Sequence, residues 1–174
     1  MTRVFFLITL LAIGGCSNVQ VTDYKHATPT LQVEEFFDGT LTAHGVLLDR
    51  SGRVTRSFNA DIKAYWRDGT GTLEEDFVFD DGELQRRVWV LQRDGNGSYI
   101  ATANDVVGDG TLRQSGNAVF LDYVLRIPWQ DSSLDLRVDD RMYLVSPDVL
   151  INQSRLSKFG IDVGEILLTI VRHD

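Results

Sequence analysis

Several things are scarce in this chain, and each scarcity excludes something. Its 174 residues contain one cysteine, Cys16, so no intrachain disulfide can form. The three histidines, His26, His44 and His173, share no metal-ligand spacing, and with no cysteine pair to join them no metal site is expected. There is no G-x-S-x-G, no P-loop and no G-x-G-x-x-G placed after a strand, so no cofactor is expected either. Positive charge is short, with 17 Lys+Arg against 25 Asp+Glu and a net charge of −8. That balance argues against a phosphate-binding surface, and no nucleic-acid partner is expected. Helical periodicity is missing as well, since no stretch of twelve or more residues repeats every 3.6 positions after Asp38. The length suits a single domain, and 43% hydrophobic residues suffice for a core.

The longest apolar run, Val4 to Ile13, has ten residues, too short for a membrane-spanning helix but long enough for a signal-peptide core. Arg3 precedes it and Ile13-Gly14-Gly15-Cys16 ends it, a pattern resembling a lipobox. Residues 1–15 are therefore expected to be a lipoprotein signal peptide, with Cys16 acylated as the mature N-terminus. Acyl chains would anchor the protein at about 0.8 kcal/mol per buried CH₂. Because the domain is acidic, the lipid and not a basic patch would make the membrane attachment. Ser17 stands where Gram-negative lipoproteins retained at the inner membrane carry Asp, and the resemblance implies the outer membrane; Ser17 does not decide which face the domain takes, and the periplasmic one is preferred. Residues 16–30 are polar and aperiodic, and are expected to be a lipidated N-terminus and tether, leaving 31–174 as the domain.

Within that domain, Val33, Phe36 and Phe37 have the spacing of a short helix stopped by Gly39. Turn signals follow every eight to twelve residues or so, and Asp-Gly occurs five times. Between them the apolar residues alternate: Phe58, Ala60, Ile62 and Ala64; Val119, Leu121, Tyr123, Leu125 and Ile127; Leu134, Leu136 and Val138. The expected fold is all-β, a lipocalin-like antiparallel meander barrel of about nine to ten strands with a short N-terminal helix at one end. Closure would remove the exposed edges. A two-sheet β-sandwich is the alternative.

Candidate chemistry lies where charge interrupts the apolar faces. If Asp81-Gly82 is a two-residue turn, Asp80 faces Glu83, Phe77 opposes Arg86 and Asp76 opposes Arg87. One face of this hairpin then carries Leu73, Phe77, Phe79, Leu84 and Val88, interrupted by Glu75 and Arg86. Arg56 and Asp140 fall on the apolar sides of their own strands by the same alternation. A shift of one residue would swap the faces. Charges inside a barrel must be paired, either with each other or with the polar head of a ligand such as a carboxylate- or phosphate-headed lipid. Trp129, after Ile127-Pro128, leaves its strand at a loop and is the tryptophan best placed to line a mouth. Asp94-Gly95-Asn96-Gly97-Ser98 resembles half a calcium loop, but Tyr99 stands where an EF-hand needs glycine, and the segment is read as a hairpin turn.

Several motifs in order, Glu34-Glu35-Phe36-Phe37-Asp38-Gly39, Asp49-Arg50-Ser51-Gly52, Glu75 to Glu83, Gln85-Arg86-Arg87-Val88-Trp89, Gln114-Ser115-Gly116-Asn117-Ala118 and Ser157-Lys158-Phe159-Gly160, resemble one bacterial lipoprotein family, domain of unknown function 3833. The resemblance implies a lipoprotein and names no activity. Three functions compete on these residues. The first is a membrane-tethered module binding a lipid or other apolar small molecule, with Arg56, Glu75, Arg86, Asp140 and Trp129 at the site. The second is a filled barrel engaging an envelope protein through its acidic rim. The third is a carboxylate-based enzyme, for which the sequence marks no nucleophile and no acid–base pair. The first is preferred, and no enzymatic role is expected.

Overall fold

A computed structural model describes residues 18–173. The expected signal peptide 1–15 and the acylation site Cys16 lie outside the described residues. Ten antiparallel strands follow one another around a closed barrel: β1 (Gly39–Asp49), β2 (Val54–Arg67), β3 (Thr70–Phe79), β4 (Leu84–Arg93), β5 (Tyr99–Ala103), β6 (Gly110–Ser115), β7 (Ala118–Trp129), β8 (Ser132–Ser146), β9 (Val149–Lys158) and β10 (Ile161–His173). The meander closes where β1 pairs with β10, from Thr40↔His173 to Asp49↔Gly164. No strand edge is left open, so the barrel expected from the turn spacing, and not the sandwich, is the fold.

One end is plugged. The short helix α1 (Val33–Phe36) sits across the mouth formed by the start of β1 and the end of β4, with Leu31, Val33, Phe36 and Phe37 buried against Leu41 and the strand interiors. Polar contacts hold it there. Trp66 donates its indole N–H to the Phe37 carbonyl at 2.9 Å, and Glu34 accepts from Arg93 at 2.7 Å and from the Tyr99 hydroxyl at 3.2 Å.

The stretch before α1 differs from the expected tether. A 3₁₀ turn over Val21–Tyr24 lies on the outside of the barrel, where Val21 is buried with Ala118 and Phe120 and Tyr24 packs edge-on to Phe120. Leu31 donates its backbone N–H to the Gly116 carbonyl at 2.8 Å. Gly116, at φ +56°, lies so close beneath this segment that a Cβ there would sit 1.7 Å from the Tyr24 carbonyl oxygen. This cover explains why Ala118 to Leu121 is buried on both faces of β7. The strand pairs that close the barrel and the helix that plugs it lie within residues 18–173.

Elsewhere the outer face mixes ion pairs with single exposed apolar side chains such as Val78, Ile100, Val145, Ile151 and Leu167. Arg113–Asp122, Arg126–Asp135 and Arg86–Asp76 form cross-strand ion pairs on it. Charged outside and apolar inside is the reverse of a barrel that faces lipid. No helix among the described residues is long and apolar enough to cross a membrane.

Candidate functional site

Inward-facing side chains do not fill the barrel. A cavity of about 650 Å³ runs from the plug to the opposite, hairpin-rimmed end. Phe37, Leu73, Leu91, Leu121 and Met142 line its deep part, and Phe58, Phe77, Phe79, Leu125 and Leu156 line its outer part. Its size falls within the range of ligand pockets. At mid-depth the apolar wall is broken by a belt of polar groups on β3, β4, β7, β8 and β9: Glu75, Arg87, Tyr123, Asp140, Asn152 and Ser154.

Hairpin geometry decides which side chains reach the belt. The turn between β3 and β4 has three residues, Asp80, Asp81 and Gly82. Gly82 donates its N–H to the Phe79 carbonyl, and Phe79 donates to Glu83, both at 3.0 Å. Gly82 at φ +86° completes the turn, a conformation that glycine adopts without penalty. Val78 therefore pairs with Leu84, Asp76 with Arg86 and Glu75 with Arg87. The register expected from a two-residue turn is off by one, and β4 shows its other face to the cavity. Arg87 points inward, while Arg86 holds Asp76 at 2.8 Å and Glu74 at 2.6 Å on the outside.

The remaining residues singled out from the sequence divide between interior and rim. Glu75 and Asp140 line the cavity, as the alternation implied. Arg56 also faces inward but at the open end, donating to Asp81 at 2.7 Å and Glu83 at 2.6 Å, with its guanidinium 3.6 Å from the centre of the Phe79 ring. Trp129 is not among the lining residues; it stands exposed on the rim, as do Leu84 and Phe159. Four further polar groups were not singled out. Tyr123 lies on the alternation of β7, and Asn152 and Ser154 sit between Leu150 and Leu156 on that of β9, so pattern could have found them. Asp105 could not be found that way, because it belongs to a loop. β5 and β6 are short, and the loop between them folds back along β7, with Val107 donating to the Val124 carbonyl and Arg126 to the Asp105 carbonyl. This brings Asp105 to Arg87, which donates from Nε at 2.9 Å and from Nη2 at 2.8 Å.

The belt has two electrostatic halves. Arg87 and Asp105 form a bidentate pair, the strong geometry for these groups. Burial works against the Arg87 charge, but Tyr123, Glu75 and Asp105 together outweigh it and raise its pKa. In the other half, Asp140 accepts from Asn152 and, at 2.8 Å, from the Ser154 hydroxyl. Burial pushes Asp140 up to about 6 even so. Glu75 accepts no hydrogen bond from a described residue, and the part of it left uncovered faces the cavity rather than bulk water. Burial pushes Glu75 up to about 7, opposed by Arg87 and reinforced by Asp105 and Asp140. Tyr123 is likewise raised by burial. No group of three or more His, Cys, Asp or Glu among the described residues is arranged to hold a metal ion.

A closed ten-stranded meander around a ligand-sized cavity with a buried polar belt defines a lipocalin-like barrel. By sequence, the chain belongs to the family described as protein of unknown function (DUF3833), whose model matches residues 10–172. Among solved structures, an S-type phycobiliprotein lyase from Guillardia theta has a similar fold, with a TM-score of 0.59 at 16% identity over 83% of this chain and 94% of that one. A redesigned β-barrel gives a TM-score of 0.47 at 11% identity over 81% of this chain and 95% of that one. No curated protein matches the sequence. The likeness to the lyase concerns the fold alone.

Proposed function

We propose that this chain is an envelope lipoprotein, tethered to the outer membrane through acylated Cys16 and facing the periplasm, whose barrel binds a lipid or other apolar small molecule. The observation that carries this reading is the cavity of about 650 Å³, walled by apolar side chains and crossed by a few convergent polar groups. A packed interior, as a purely structural barrel would have, leaves no such volume. The tether rests on Arg3, the ten-residue apolar run and Gly14-Gly15-Cys16. Binding, not catalysis, is the role, and the membrane is reached through lipid and not through a basic surface.

The test is native mass spectrometry of residues 17–174 purified without detergent, followed by organic extraction. A recurring extra mass that extracts as a lipid is the expected result. An apo mass that a panel of lipids fails to shift overturns the reading. For the tether, mass spectrometry of the full-length protein extracted from membranes should find an N-terminus at Cys16 carrying acyl chains, and an N-terminus elsewhere or an unmodified Cys16 overturns that part.

A further inference from the structure

The cations around the cavity are all engaged. Arg87 gives one edge of its guanidinium, Nε and Nη2, to Asp105; Arg56 gives Nη2 to Asp81 and Glu83, its buried Nε having no partner among the described residues; and Arg86 and Arg126 pair with Asp76 and Asp135 on the outer face. The carboxyls are not matched in the same way. Asp140 is served only by the neutral donors Asn152 and Ser154, and Glu75 by no donor among the described residues. Among the described residues, a carboxylate or phosphate entering this space would meet no cation that lacks a carboxylate partner, and it would lie beside two further carboxyl groups. That reverses the expectation, drawn from an inward Arg86, of an anionic headgroup.

We propose that the cavity takes an apolar chain whose polar head donates hydrogen bonds, an alcohol or a protonated amine, and disfavours anionic heads of equal chain length, with Glu75 as the accepting group. The inference rests on the small-molecule reading of the same cavity. It joins three observations: an apolar cavity of about 650 Å³, a buried carboxyl aimed into it without a partner, and neighbouring cations already neutralised. A buried acceptor left unpaired is costly, and a donor arriving with the ligand removes that cost, whereas an anion adds a second desolvated charge. The shift of Glu75 to about 7 agrees with this, since it reports a carboxyl whose surroundings do little to stabilise its charge.

The experiment uses residues 17–174 at pH 8, the uncharged fluorescent probe N-phenyl-1-naphthylamine, and displacement by decan-1-ol, decylamine and decanoate. The alcohol and the amine should displace the probe at concentrations at least tenfold lower than decanoate. Decanoate displacing as well as either overturns the head-group assignment and leaves the cavity reading standing. A probe that does not bind, or that none of the three displaces, overturns the cavity reading and this one with it. In E75Q, shown folded by its circular dichroism melt, the amine should lose at least tenfold in potency relative to decanoate. An unchanged ranking in that folded variant removes Glu75 from the role. The ranking on the unsubstituted protein needs no variant to fold.

Discussion

At the level of single residues, the inside of this barrel turns on two neighbours. Arg86 and Arg87 are adjacent, equally charged and on opposite faces of β4, so a register error of one residue exchanges an outer ion pair for the cation of the cavity. Removing Arg87 leaves Asp105 without its bidentate partner and Glu75 without its nearest cation. R87A should cost about 3 kcal/mol in urea unfolding. R86A removes only solvated contacts, to Asp76 and Glu74, and should leave the midpoint nearly unmoved; equal losses from the two variants would contradict the register. Glu75 permits a second prediction, with a definite sign. Its folded pKa, about 7, lies above the ordinary carboxyl value of 4.5, so the folded state holds the extra proton and stability falls as pH rises between those values. Asp140, raised from 3.8 to about 6, adds a decline in the same direction. E75Q mimics the protonated form: it should match the parent near pH 4.5 and exceed it by about 3 kcal/mol at pH 8. Thermal melts across that range would show the curves diverging. Parallel curves would mean that the group is not desolvated. Glu75, Asp140 and Arg56 were legible because each interrupts an alternation that period two makes plain. Arg87 was not, because alternation assigns a face only after the turn has set the register.

Turns and the N-terminal segment show, one level up, where pattern fails. Asp68-Gly69 closes a two-residue turn between Arg67 and Thr70 with both φ values positive, at 51° and 76°. Asp81-Gly82, the same dipeptide, ends a three-residue turn. Both arrangements use glycine's freedom at positive φ, and which one forms depends on pairing further along the strands. Here Phe79 is held opposite Phe58 of β2, with Asp80 donating to the Ser57 carbonyl, and that leaves Asp80 outside the ladder with β4. The stretch from Asn18 to Thr30 misled for another reason. It is polar and aperiodic, yet Val21 and Tyr24 suffice to fix it because β7 offers Ala118 and Phe120 on its outer face, beside the Arg141 guanidinium 5.0 Å from the Phe120 ring. Two apolar side chains have no period to detect. Deleting residues 17–26 should therefore lower stability by about 3 kcal/mol, the value of burying a valine and much of a tyrosine. G116A should act in the same direction by pushing the segment off. A flexible tether would be lost without effect, so an unchanged denaturation midpoint in the deletion variant would refute the packing.

For the molecule as a whole, closure was legible and hollowness was not. Evenly spaced turns and period-two alternation point first to a closed sheet, with a sandwich as the alternative, but whether the interior fills depends on summed side-chain volumes. Ala43 lines the cavity, where a larger residue would take up space, and Ala60, Ala64 and Ala101 take inward positions in the core, while alternation counts alanine and leucine alike. Closure also fixes a direction. The N-terminal segment lies against Gly116, in the β6–β7 turn at the plugged end, and Cys16 is only five residues before Val21. Five extended residues reach roughly 17 Å. The strands, tilted as barrel strands are, separate the two ends by roughly 25–30 Å. An acylated Cys16 would therefore hold the plugged end near its membrane and turn the open mouth, with its exposed rim of Leu84, Trp129 and Phe159, toward the space beyond. The prediction is made on the lipidated protein in vesicles carrying a nitroxide-labelled lipid, with a fluorophore on a cysteine introduced as D148C at the plugged end or as F159C at the mouth. Emission at position 148 should be quenched and that at position 159 should not. Quenching at 159 with none at 148 would place the mouth against the anchoring membrane and reverse the direction from which a ligand enters.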